Sequence, residues 1–132
     1  MGAGGLMINQ IEKELRGKFP NIQDYLNLVF KWLYDVEKYD KEQITEAARI
    51  KNLPEKSIIY VMLFYQVSEQ LKYKSDWKYS ICGLPNEEEA DKRRLWHFLF
   101  DKVKQFNYFP KDEMERWQRN MQPFTELNTY DK

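Results

Sequence analysis

Few side chains in this sequence could carry chemistry: one cysteine, Cys82, one histidine, His97, and an acidic run of Glu87, Glu88, Glu89 and Asp91. A thiol and an imidazole become nucleophile and base when folding brings them together. Their positions do not require that, and the plain expectation is a Cys filling a small gap and a His on the flank of a helix. The acidic run suggests a metal site only until it is wound into a helix, where consecutive residues splay by ~100° and cannot converge on one ion. Lys92, Arg93 and Arg94 follow at helical pairing distances, so acids and bases together read as a solvated, self-compensated face. With five glycines in all, there is no glycine-rich phosphate loop, no HExxH pair and no nucleophile elbow. The expectation is therefore a non-enzymatic chain with no metal, no cofactor and no evident small-molecule substrate.

The elements that must position these residues are helical. The chain has 132 residues, enough for one domain, with 42% apolar and 32% charged side chains. Its 21 basic and 21 acidic residues cancel, which removes the global field of a dedicated nucleic-acid coat or membrane-surface protein. A single cysteine excludes an intramolecular disulfide and suits a reducing, cytoplasmic setting. The longest apolar run, Ile58 to Tyr65, is far shorter than the ~18 to 20 residues of a membrane span, so no membrane partner is expected. Residues 1–6 read as a leader, 7–122 as the domain and 123–132 as a polar tail.

Ile8, Ile11, Leu15 and Phe19 form one helical stripe, ended by Pro20. Asn21 is placed to cap a second helix carrying Ile22, Leu26, Val29, Leu33 and Val36. Asp40 with Gln43, and Asn52 with Glu55, have the spacing of capping boxes. They predict a short third helix with Ile44, Ala47 and Ala48, then a fourth through the all-round apolar run to about Leu71. Asn86 with Glu89 opens a long helix carrying Leu95, Phe98, Leu99, Val103 and Phe106, and Pro110 opens a last one with Met114, Trp117 and Met121. The predicted fold is all-α, a single-domain bundle of five to six helices. Alternation of Lys72, Tyr73, Lys74, Trp77, Lys78 and Tyr79 adds a small β-hairpin near residues 72–81.

Glu42 to Ile50, the connection Lys51-Asn52-Leu53, and the segment from Pro54 onward together resemble the helix-turn-helix family. Ala48 stands at the close crossing, Asn52 where that family often has Gly, Leu53 after the turn, and Ile58 and Val61 as the buried pair of the second helix. The resemblance implies a winged-helix-like nucleic-acid binder or transcriptional regulator, with Lys56, Lys72, Lys74, Trp77 and Lys78 at the nucleic acid. It also implies outward positions at Glu55, Lys56, Ile59 and Tyr60, which are poorly suited to reading base edges.

Aromatic density points elsewhere. Four Trp, nine Tyr and eight Phe exceed what so small a core hides easily, and large amphipathic rings are preferred anchors of protein interfaces. Trp96 and Phe100 lie off the Leu95, Leu99 and Val103 stripe and signal either deeper burial or a partner. The leading expectation is a helical protein-interaction module, an adaptor, inhibitor or assembly subunit. It would bind through Trp77, Tyr79, Trp96, Phe100, Tyr108 and Trp117, with a homodimer as one form.

Overall fold

Apolar residues three and four apart turn one face of the first helix inward: Ile8, Ile11, Leu15 and Phe19 are all buried. The computed structural model describes residues 3–74 and 87–127, the side chains of 3–7, 37–40 and 74 excepted. These residues form α1 (Ala3–Lys18), a 3-10 turn (Pro20–Ile22), α2 (Gln23–Lys51), α3 (Glu55–Lys74), α4 (Glu87–Gln105) and α5 (Lys111–Thr125). The chain is all-helical, and no strand occurs among the described residues. Lys72, Tyr73 and Lys74, expected in a hairpin, continue α3, and the rest of that hairpin lies outside the described residues. No helix among the described residues is long and apolar enough to cross a membrane.

α3 packs against each of the other four α-helices. Its apolar run faces neighbours on nearly every side, as expected of a helix without a polar face: Ile58, Ile59, Tyr60, Val61, Leu63 and Phe64 are buried. Ile59 and Tyr60 thus point into the core, which corrects the outward assignment implied by the helix-turn-helix resemblance. Pairings fix the helix directions. Tyr60 lies by Phe106, Phe64 by Phe100 and Ser68 by Trp96, so α3 and α4 are antiparallel. Arg93 meets Glu126 and His97 meets Thr125, so α4 and α5 are antiparallel and α3 runs parallel to α5.

Three expected caps behave differently. Asp40 starts no helix, because α2 runs unbroken for 29 residues from Gln23 to Lys51. Between Val36 and Ile44 the sequence has no Gly or Pro, and most residues there are good helix formers, so the local box yields to propagation. Asn21 sits in the 3-10 turn and donates from Nδ2 to Asp91 at 3.1 Å, tying the α1–α2 corner to α4. Asn52 closes α2 rather than opening α3. It is left-handed, φ 55°, with its amide donating to Arg49 O at 3.1 Å and the Leu53 amide to Ala48 O at 2.9 Å. That is a Schellman ending, with Asn in the position Gly usually takes.

Asn107 repeats the motif at the end of α4, at φ 56°, with its amide donating to Lys104 O at 3.1 Å and that of Tyr108 to Val103 O at 3.4 Å. The two endings touch. Lys51 Nζ donates to Tyr108 O at 3.3 Å and rests 4.4 Å from the centre of the Tyr108 ring. Beneath them Ile44, Ala48 and Ile58 form a small cluster separate from the main core, with Met62 and Tyr108 packed against it.

Candidate functional site

The acidic and basic residues around α4 divide: Glu87, Glu88 and Arg94 are exposed, as the sequence suggests, and the others turn inward. Glu89, Asp91 and Arg93 are buried. α4 is flanked by α3, α5 and the 3-10 turn, where Asp91 accepts from Asn21 and Glu89 lies near Tyr25, while Arg93 faces α5. Pairing itself follows the predicted spacing, Lys92 reaching Glu89 at 3.4 Å and Arg94 reaching Asp91 at 2.8 Å. Arg93 instead turns toward α5 and donates from Nη1 to Glu126 O at 2.7 Å. One turn on, His97 Nε2 lies 2.8 Å from Thr125 O, and a carbonyl can only accept, so this nitrogen carries the proton. Arg93 and His97 together cap the carboxyl end of α5, where the helix dipole favours such donors. α5 itself runs through Pro123, two residues past the expected start of the tail, to Thr125. Cys82 lies outside the described residues.

The aromatic residues form two layers. In the inner layer Phe64 touches Trp96 at 5.5 Å and Phe100 at 6.2 Å, with the Trp96 and Phe100 rings stacked at 5.1 Å. Trp96 Nε1 donates to Ser68 Oγ at 2.7 Å, which satisfies the one polar atom of the indole. Trp96 and Phe100 are therefore core, and their second stripe is explained by burial beneath α3 and α5. As interface residues they are corrected.

The outer layer is Tyr65, Phe109 and Trp117. Trp117 packs edge-on to Phe64 at 5.0 Å and lies 5.5 Å from Tyr65, which also meets Phe109 at 6.0 Å. Between α3 and α5, Tyr65 and Trp117 border an open groove of about 720 Å³. Tyr65, Ser68, Glu69, Lys72 and Tyr73 supply the α3 wall; Glu113, Arg116, Trp117, Asn120 and Met121 supply the α5 wall. Each set has the three-and-four spacing of a single helix face, so two parallel helices present two complementary sides of one channel. Tyr65 is 44% exposed and Tyr73 71%, among the most exposed large hydrophobic residues described. Burial, then the nearby Tyr108 and Glu113, push the Tyr65 hydroxyl pKa up, keeping it a neutral hydrogen-bonding group.

Of the residues singled out in the sequence, the groove collects Trp117 and Lys72. Tyr108 sits half-buried at the paired helix endings, and Lys56 is exposed beside the Phe106 ring at 5.7 Å. The side chain of Lys74, and Trp77, Lys78 and Tyr79 entirely, lie outside the described residues. Sequence reasoning missed Tyr65, Glu69, Glu113 and Arg116 as wall residues. Tyr65, Glu69 and Tyr73 recur every four residues, a visible face, but the apolar run before them masks it.

No family model matches the chain, and no curated protein or solved structure is significantly similar to it. The groove must be read from its own chemistry. Among the described residues no group of His, Cys, Asp and Glu could hold a metal ion.

Proposed function

We propose that this chain is a non-enzymatic protein-interaction module whose groove between α3 and α5 receives a segment of another protein surface. One observation carries the reading: three aromatic anchors, Tyr65, Tyr73 and Trp117, stand on two rigid helices around an open channel, backed by a fully packed inner layer. Anchors of this kind bury much area with few rotatable bonds, and their rigid backing lowers the entropy cost of binding. Charged residues of both signs on the walls give the polar rim that such surfaces carry.

Selection from a displayed peptide library against the wild-type chain tests this. Enriched peptides are expected to lose about tenfold or more in affinity toward Tyr73→Ala and Arg116→Glu, with unchanged helical circular dichroism, since truncating an interface anchor costs upward of ~1 kcal/mol. Peptides that bind all three proteins equally would refute the site.

A second reading has its own observation. Lys18 and Lys102 lie over Phe98 at 5.3 and 5.4 Å, Lys102 also lies 5.6 Å from Tyr60, and Lys56 lies beside Phe106. Basic and aromatic side chains thus alternate along a face built by α1, α3 and α4, as they do on surfaces that contact nucleic acid. Replacing Lys18, Lys56 and Lys102 by Ala should flatten the salt dependence of any DNA or RNA affinity. Absence of salt-sensitive binding by the wild type removes this reading.

A further inference from the structure

The groove is polarised along its length. Glu113, in the first turn of α5, marks one end, and Lys72, near the close of α3, marks the other. Between them Arg116 on one wall and Glu69 on the other carry opposite charges, which leaves the middle without net charge. The two helices run parallel, so the end charges stay apart rather than cancelling. Tyr73 stands beside Lys72, whose ammonium lies 5.5 Å from the Tyr73 ring, and it is the most exposed aromatic residue described.

A surface with an acid at one end and a base at the other is complementary to itself after a half-turn about an axis through its centre. That operation is the one an isologous dimer uses. We infer that the occupant of the groove is the same groove of a second copy of the chain, with Glu113 of each copy against Lys72 of the other and Tyr73 entering the space beside Trp117. The inference rests on the groove being the interaction site. Zero net charge favours it further, because identical chains then approach without global repulsion. An unrelated helix would need its charges arranged for this groove, whereas a second copy already has them in order.

Light scattering or sedimentation across a concentration series tests the pairing. The wild type should show a reversible monomer–dimer equilibrium. Glu113→Lys and Lys72→Glu should each raise the dissociation constant about tenfold, because each turns two attractive contacts per dimer into repulsive ones. The double variant should return to near the wild-type value. Tyr73→Ala should weaken the dimer with no change in circular dichroism, which covers the case of a charge variant that folds poorly. A wild-type chain that is monomeric up to about 1 mM, the weak end of specific association, overturns the inference. So does a double variant no better than the singles. The peptide selection decides separately whether the groove binds anything at all.

Discussion

α3 is shared by two halves of the molecule that bury it in different ways. Toward α1 and α2 it meets largely aliphatic neighbours, Ile8, Ile11, Leu15, Leu26, Val29 and Leu33, and that side is drawn shut by polar clasps. Arg16 donates to Glu12 at 2.9 Å, Gln23 at 2.9 Å and Asn27 at 2.8 Å, and Tyr34 donates to Glu12 at 2.8 Å and pairs with Asn9. Toward α4 and α5 it meets Trp96, Phe100 and Trp117. Phe64, Trp96 and Phe100 are covered there, while Tyr65, in the layer outside them, stays exposed beside the groove. The difference places the candidate binding surface on the aromatic side and leaves the aliphatic side to hold the fold.

Core truncations on each side give the largest expected effects. Trp96→Ala should lower unfolding free energy by about 3–5 kcal/mol and Leu33→Ala by about 2–5 kcal/mol in urea titrations. The aromatic half is as structural as the aliphatic one if both fall in these ranges; a Trp96→Ala loss below ~1 kcal/mol would expose that half as a loosely packed appendage. Ser68→Ala comes next, at about 1–3 kcal/mol, since it leaves the buried Trp96 N–H without its acceptor.

Smaller effects belong to the helix ends. Asn52→Ala and Asn107→Ala should each cost about 1–2 kcal/mol, because Ala tolerates positive φ poorly, and Gly at either position should be near neutral. Equal stability of the Ala and Gly variants would refute the left-handed endings.

Alkaline titration probes the clasped side. Burial and the Glu12 hydrogen bond push the Tyr34 hydroxyl up to about 12 from an ordinary 10.0. Burial, followed by hydrogen bonding and charge from Glu14, raises the Tyr60 pKa. Burial, followed by Glu89, raises that of Tyr25. A raised folded-state value means both states hold the proton below about pH 10 and the unfolded state loses it first above, so stability should fall from pH 10 toward 12. Tyr34→Phe should make that fall shallower while changing neutral-pH stability little. An identical alkaline slope in the variant would remove Tyr34 from the account.

Much of this division was legible in the sequence, and the exceptions have physical causes. Periodicity located the buried faces of α1, α2 and α4, because burial of a stripe is what the spacing encodes. Asn52 was harder to read, since a short polar side chain suits both the opening of a helix and the left-handed closing of the previous one. Asp40 carried a real local signal that a longer run of helix formers overrode. The second stripe of Trp96 and Phe100 left burial and partner binding equally open, and only the covering by α3 and α5 decides between them. Tyr65 ends an apolar run that looks uniformly internal, and its exposure follows from its place on the flank of α3 that borders the open groove.

The unbroken α2 has a consequence for local opening. At ~1.5 Å per residue its 29 residues reach ~43 Å, well past the 16-residue α1 that lies along its first half. Beyond that overlap its contacts among the described residues include Ile44 and Ala48 against Ile58, Thr45 donating to Glu55, Lys51 at Tyr108 and the Asn52 ending. Amide protons near residues 45–51 should accordingly exchange with solvent through openings far less costly than global unfolding, while those of α3 wait for the whole molecule to come apart.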